Sequence, residues 1–158
     1  MKDRRTILIL DDEEFIIQSL AKVLQKIGYG VLACLQPQEA FNCLNKRAVD
    51  LIISDLKMPS MNGIDFLAAA KLIRPETATI LMVGPEEHDS ATEAVCQGIA
   101  DWYLDKPCEE KIIQITVPLI LRFQQMAGEN RIFHLLLKKR GDLSGQFSVD
   151  TQELAGRR

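Results

Sequence analysis

The sequence contains few of the residues from which disulfide frameworks and zinc sites are built. It has four cysteines in 158 residues, and no two of them form a Cys-x-x-Cys pair. Its two histidines, His88 and His134, do not stand at a spacing typical of zinc ligands. We therefore expect no zinc site, and four isolated thiols are typical of a protein in a reducing cytosol.

Long apolar runs and an excess of positive charge are also missing. No apolar run approaches the ~20 residues that a membrane-spanning helix needs. The first run stops after four residues, which is too short for the hydrophobic segment of a signal peptide. The net charge of −3 gives no reason to expect a nucleic-acid binder. We expect a cytoplasmic protein that contacts neither a membrane nor nucleic acid through this segment.

Short apolar runs of strand type alternate with longer stretches of helical periodicity. The predicted strands are 7–10, 31–35, 50–54, 79–83 and 102–104. Strands this apolar are typical of a parallel sheet, so we expect an α/β fold with helices on both faces of five strands. The spacing of Ser90 and Glu93 is typical of a capping box and predicts a helix from there to Gly98. The final helix is expected to begin near Cys108 and to be long.

The first strand runs straight into acids, in the stretch ILILDDEEF. Taken alone, these acids have two interpretations: a solvated helix start, where negative charge suits the helix dipole, or a site for a hard cation. Glu13 and Glu14 are assigned to the solvated helix start. The two aspartates before them have to be judged with the rest of the chain.

Charged residues follow three of the predicted strands at the point where each strand ends. Asp11 and Asp12 follow the first strand, Asp55 the third and Lys106 the fifth. Because the carboxyl ends of parallel strands meet at one edge of the sheet, we expect these side chains to converge. Three converging carboxylates repel one another unless a cation such as Mg²⁺ neutralises them. Beside such a metal, a carboxylate is a plausible nucleophile that could form an aspartyl phosphate, with the lysine as a charge for the phosphoryl group.

The combined motifs resemble the receiver domain of bacterial two-component response regulators. They are Asp11-Asp12, then LIISDLKMP at 51–59 with Asn62-Gly63, and finally Asp105-Lys106-Pro107. The resemblance covers about residues 5 to 122. It implies a flavodoxin-like (βα)5 fold, a doubly wound parallel five-stranded sheet, here followed by an extended C-terminal helix.

The resemblance also implies a role for each matching residue. Asp55 would be the phosphorylated aspartate, and Lys106 would contact the phosphoryl group. Mg²⁺ would be held by Asp11, Asp12, Asp55 and the backbone carbonyl of Lys57. Apart from self-phosphorylation on Asp55 from a phosphodonor, no enzymatic activity is expected.

Three further positions correspond to residues that take part in the family's response to phosphorylation. Two of them match the family, and the third departs from it. Tyr103 falls where the family keeps a rotating aromatic side chain, and Pro107 falls where it has a cis-proline that would aim the preceding lysine into the site. Gly84 stands where receivers usually have Thr or Ser, and Pro85 stands where they have a small residue. The family's hydroxyl and the next backbone N–H both donate to the phosphoryl group, but glycine has no side chain and proline has no N–H.

The missing donors are expected to weaken the response to phosphorylation. A hydrogen bond to a charged group contributes ~1.5–3 kcal/mol. A switch that moves from nearly off to nearly on needs about 5.5 kcal/mol of differential stabilisation. The loss of two donors is therefore comparable with the whole switching energy, whereas the metal and the lysine act on the transfer itself.

The chain is expected to divide into three parts. Residues 1–122 would form the receiver domain, 123–141 a helical extension or connector, and 142–158 a flexible polar tail. The leucines at 135–137 favour a homodimer through the C-terminal helix. The basic residues at 138–140 are interpreted as a helix end rather than as a nucleic-acid contact.

The leading interpretation is a signalling module with three kinds of partner. It would take a phosphoryl group from a histidine kinase or phosphotransfer protein and relay a conformational change to a downstream effector through the surface around Tyr103. One alternative is an interaction module of the same fold that works without phosphorylation. A remote alternative is an aspartyl-phosphate phosphatase of the haloacid-dehalogenase type. That family places an Asp-x-Asp pattern after its first strand, where this chain has Asp11-Asp12-Glu13.

Overall fold

The computed structural model describes the backbone of residues 4–139 and the side chains of residues 4–129. Strands and helices alternate along this part of the chain. They are β1 Thr6–Leu10, α1 Glu14–Lys26, β2 Gly30–Cys34, α2 Pro37–Lys46, β3 Leu51–Asp55, α3 Gly63–Ile73, β4 Ala78–Val83, α4 His88–Cys96, β5 Trp102–Asp105 and α5 Glu110–Lys139. A short 3₁₀ turn, Pro85–Glu87, lies between β4 and α4. None of the helices in the described part of the chain combines the length and apolar character needed to cross a bilayer.

The five strands form one parallel sheet in the order β2-β1-β3-β4-β5. Its register aligns the strand ends, since Leu10 lies opposite Ser54, Asp55 opposite Met82, and Val83 opposite Asp105. The predicted flavodoxin-like fold is thus confirmed. The carboxyl ends of β1, β3, β4 and β5 lie along one edge of the sheet.

Alternating side chains of the central strands face two separate apolar layers. Ile7 and Ile9 of β1 pack in the layer that α1 and α5 cover, whereas Leu8 and Leu10 pack in the layer under α2, α3 and α4. β3 is buried along its whole length. Full burial of an aliphatic side chain contributes ~1.5–3 kcal/mol, so these two layers hold the sheet edge in place.

The loop between β3 and α3 is fixed by Asn62 and Gly63. The Asn62 side-chain oxygen accepts a hydrogen bond from the Ile64 N–H at 2.7 Å and so caps α3. The Gly63 N–H donates to the Leu56 carbonyl at 2.7 Å. A Cβ atom at position 63 would lie 2.0 Å from the Asp55 carbonyl oxygen, so only glycine fits this close approach.

The predicted start of the fourth helix is wrong. Helical geometry begins at the 3₁₀ turn Pro85–Glu87 and continues into α4 at His88, so Ser90 lies inside the helix. The reason is local, because Pro85 has a backbone angle suited to a helix start and the Glu87 carboxylate accepts from the Gly84 N–H at 3.4 Å. The glutamate therefore provides the backbone contact that had been expected from Ser90 and Glu93.

Helix α5 extends over Glu110–Lys139 and contains Pro118, which has no N–H to donate within the helix. The first part of α5, through Gln124, belongs to one compact unit with the sheet, and a second unit begins at Gln125. The three-part division at 122 and 141 stays a prediction. The tail at 142–158 and the side chains of the leucines at 135–137 lie outside the described residues.

Candidate functional site

Asp55 lies at the end of β3 with only 6% of its surface exposed. One of its carboxylate oxygens, Oδ1, lies 2.7 Å from the Lys106 Nζ. Burial is the main cause that raises the pKa of Asp55 above its ordinary value. The Lys106 contact lowers this pKa, while the charges of Asp11 and Asp12 raise it again. The net effect is a raised pKa, because burial disfavours the charged form of this carboxylate.

Lys106 joins the end of β5 to the acidic residues. Its backbone N–H donates to the Val83 carbonyl at 2.8 Å, and its Nζ also lies 3.3 Å from Asp11 Oδ2. Burial opposes the charged form of Lys106, but the contacts with Asp55 and Asp11 outweigh it and raise the pKa. The lysine is thus held as a cation between two carboxylates. The Lys106–Pro107 peptide bond is cis.

The structure brings Asp11 and Asp12 together with Asp55. One oxygen from each of the three carboxylates lies within 4.8 Å of one oxygen from each of the other two. Asp11 is buried and its Oδ1 accepts from the Glu13 N–H at 2.9 Å, whereas Asp12 is exposed. This fixed acidic group offers hard oxygen donors with access to solvent. Such a donor set fits Mg²⁺, which takes one or two carboxylates and keeps several waters.

Comparison with known proteins assigns the chain to a family. The model of the response regulator receiver domain matches residues 7–117. The chain belongs to this family. The predicted resemblance is confirmed.

Individual relatives of this receiver domain include two curated regulators. The luminescence regulatory protein LuxO of Vibrio campbellii is 32% identical over 114 residues, which are 72% of this chain and 25% of LuxO. The alginate biosynthesis transcriptional regulatory protein AlgB of Pseudomonas putida is 29% identical over 122 residues, which are 77% of this chain and 27% of AlgB. The chain therefore spans about a quarter of the length of these relatives.

Solved structures show the same fold. A response regulator receiver domain protein from Clostridium thermocellum is 30% identical with a TM-score of 0.72, and the match covers 78% of this chain and 98% of that one. A protein described as an adenylate cyclase from Rhodopirellula baltica is 27% identical with a TM-score of 0.77, covering 86% and 98% of the two chains. Each match covers nearly the whole of the solved chain.

In this receiver domain, Tyr103 is half-buried on β5 and packs against two other rings. Its centroid lies 5.7 Å from that of His88 and 6.2 Å from that of Trp102. The His88 imidazole also contacts the Asp105 carboxylate, the residue before Lys106. Through His88, the Tyr103 ring is thus connected to both the start of α4 and the end of β5. Its role as a switch stays a prediction.

The sequence reasoning missed three charged side chains beside Gly84. Lys57 Nζ lies 3.9 Å from Glu86 Oε1 and 3.8 Å from Glu87 Oε1, and Glu87 is 8% exposed. The sequence contained a signal for this cluster, because both glutamates lie within four residues of the end of β4 and the strand-end rule places that segment at the same edge. What the pattern does not reveal is that the glutamates share one lysine.

Proposed function

We propose that this receiver domain accepts a phosphoryl group on Asp55 from the phosphohistidine of a histidine kinase or phosphotransfer protein. The observation that carries the proposal is the 2.7 Å contact between Lys106 and Asp55, with Asp11 and Asp12 grouped around the same carboxylate. A nucleophile, a fixed cation and two further metal-binding carboxylates are the components that such a transfer needs.

The chemistry is a displacement at phosphorus. A carboxylate oxygen of Asp55 forms a bond to phosphorus while the bond from phosphorus to the donor histidine nitrogen breaks. The leaving imidazole keeps the electron pair of that bond. Lys106 holds positive charge beside Asp55 and contacts the transferred group, so the charge that develops on the phosphoryl oxygens meets a cation already in position.

Asp11, Asp12, Asp55 and the backbone carbonyl of Lys57 would hold Mg²⁺. When bound, the ion supplies two positive charges that offset the mutual repulsion of the carboxylates and of the incoming phosphoryl group. Asp11 is positioned for this by its hydrogen bond from the Glu13 N–H. The exposed side chain of Asp12 leaves the site open to a metal and its waters.

The test is the intact mass of the protein after incubation with acetyl phosphate, with and without Mg²⁺. We expect a Mg²⁺-dependent gain of one phosphoryl group in the natural protein and no gain in Asp55→Asn. If the folded protein binds Mg²⁺ but gains no mass from acetyl phosphate or from a phosphorylated histidine kinase, the proposal is wrong.

A second candidate is a module of the same fold that binds its partner without phosphorylation. The specific observation in its favour is the pair Gly84-Pro85, which removes a hydroxyl and an N–H donor together. In that case, Asp55→Asn would leave partner binding unchanged. Loss of phosphorylation-dependent binding in the same variant would favour the phosphoacceptor.

The relay surface would include β5 and the outer side of α5. Exposed apolar side chains on this helix recur at near-heptad spacing, namely Ile112, Ile115, Leu119 and Phe123. A contiguous apolar stripe of this kind favours a protein partner, either a downstream effector or a second copy of this chain. Sedimentation of the phosphorylated and unphosphorylated protein distinguishes these two partners.

A further inference from the structure

An ion-pair cluster connects the loop after β3 with the 3₁₀ turn after β4, and it is made of Lys57, Glu86 and Glu87. The Glu87 carboxylate contacts the Gly84 N–H through Oε2 at 3.4 Å and the Lys57 ammonium through Oε1 at 3.8 Å. A single buried carboxylate therefore separates the lysine from the backbone of Gly84. This places the ammonium close to the position from which other receivers donate a hydroxyl.

Glu86 occupies the space that a side chain at position 84 would need. A Cβ atom on Gly84 would lie 3.0 Å from Glu86 Oε1 and 3.1 Å from Oε2. The Glu86 side chain is 65% exposed, so its carboxylate can move away. An anionic group now stands where a Thr or Ser side chain would begin, and the nearest cation to it in this cluster is Lys57.

Phosphorylation would place additional negative charge at this crowded acidic edge. Lys106 already contacts two carboxylates, those of Asp55 and Asp11. Lys57 is less tightly held, because its two ion pairs are long and its side chain is 71% exposed. The pair with Glu86 is exposed on both sides and contributes little, so Lys57 can leave it at low cost. When Lys57 leaves the long pair with Glu87, the Glu87 carboxylate keeps its contact with the Gly84 N–H.

We propose that the Lys57 ammonium breaks its ion pairs with Glu86 and Glu87 and binds a phosphoryl oxygen on Asp55. It thereby replaces the two donors that are missing at Gly84 and Pro85. This inference rests on the proposed function and adds a phosphoryl-binding residue specific to this chain. When the Lys57 ammonium moves, it no longer joins Glu86 to Glu87. The Glu87 carboxylate caps the turn before α4. The same movement therefore connects phosphorylation to the position of the 3₁₀ turn.

The test uses fluoroberyllate, a tetrahedral mimic of a phosphoryl group on a carboxylate, at saturating Mg²⁺. Its binding is measured directly by ¹⁹F NMR and, in parallel, through the fluorescence of the single tryptophan, Trp102, whose ring lies 6.2 Å from Tyr103. Lys57→Met keeps the backbone carbonyl but removes the ammonium. We expect its affinity for fluoroberyllate to fall roughly tenfold or more, the effect of losing a hydrogen bond to a charged group. Mg²⁺ affinity is measured separately for each variant.

Three further variants separate the proposed role from a general loss of charge. Lys26→Met removes a lysine of matching exposure, 70%, from an ion pair with Glu110, and is expected to bind fluoroberyllate normally. Lys57→Arg keeps the charge and is expected to retain most of the affinity. In a Gly84→Thr/Pro85→Ala background, which restores both donors, Lys57→Met should lower affinity less than about threefold.

The outcomes distinguish this inference from the proposed function. If the natural protein binds Mg²⁺ but neither fluoroberyllate nor a phosphoryl group, the proposed function fails. If the natural protein binds fluoroberyllate and Lys57→Met binds it equally well, only the role of Lys57 is overturned. An equal loss in Lys57→Met and Lys26→Met also overturns it. If the restored background does not fold, the comparison of Lys57→Met with Lys57→Arg decides, and equal losses in both refute the proposal.

Discussion

Replacing Lys106 by methionine should destabilise the protein in the absence of Mg²⁺. The lysine contacts Asp55 at 2.7 Å and Asp11 at 3.3 Å, and both carboxylates are buried. A hydrogen bond to a charged group contributes ~1.5–3 kcal/mol, and the longer contact contributes less. We therefore expect the free energy of unfolding at pH 7 to fall by about 2–4 kcal/mol. For a chain of this length, that corresponds to a Tm about 5–12 °C lower.

The same substitution should make stability more dependent on Mg²⁺. Without the ammonium, the three carboxylates repel one another more strongly. Binding of a divalent cation therefore stabilises the folded variant by a larger free energy than it stabilises the natural protein. Thermal unfolding followed by circular dichroism across a Mg²⁺ titration should show a larger rise in Tm for Lys106→Met than for the natural protein. Lys26→Met is the control, because its pair with Glu110 is exposed and its loss is expected to cost less than about 1 kcal/mol. A Lys106→Met protein as stable as the natural one without Mg²⁺ would show that the two lysine contacts do not stabilise the folded state.

Three further predictions concern stability. Gly63→Ala places a Cβ atom 2.0 Å from the Asp55 carbonyl oxygen and should cost about 3 kcal/mol or more in urea unfolding; a smaller loss would show that the loop can move away. Phe66→Ala removes a fully buried ring and should cost about 3–5 kcal/mol in the same assay, which a near-normal midpoint would contradict. Asp55→Asn should raise the Tm at pH 7, because the raised pKa of Asp55 means that its ionisation disfavours the folded state. This gain should shrink as pH falls toward the unfolded value of about 3.9, and a gain independent of pH would contradict it.

Much of the fold followed from simple rules applied to the sequence. The strands were predictable because a strand buried on both faces must be almost wholly apolar, as LIIS in β3 and ILIL in β1 are. The grouping of Asp11, Asp12, Asp55 and Lys106 was predictable because parallel strands end at one edge. Neither step depended on the details of a loop.

The wrong helix start and the missed ion pairs both lie in the segment after β4. There, side-chain contacts determine the conformation of the backbone. Glu87 belongs to a residue type that is usually solvated, yet it is buried because its carboxylate meets the Gly84 N–H and the Lys57 ammonium. That contact also moves the helix start away from Ser90. The contact between His88 and Asp105 joins residues 17 apart in sequence, and no periodic pattern encodes it.

The modification proposed for this receiver domain is an acyl phosphate on Asp55 itself. Borodeuteride reduces an aspartyl phosphate to deuterium-labelled homoserine, so peptide mass spectrometry after phosphorylation and reduction locates the modified residue. The label should appear at Asp55, only when Mg²⁺ and a phosphodonor are both present, and it should be absent from Asp11 and Asp12. A label at another carboxylate, or a phosphorylated protein that borodeuteride leaves unlabelled, would show that Asp55 is not the phosphoacceptor.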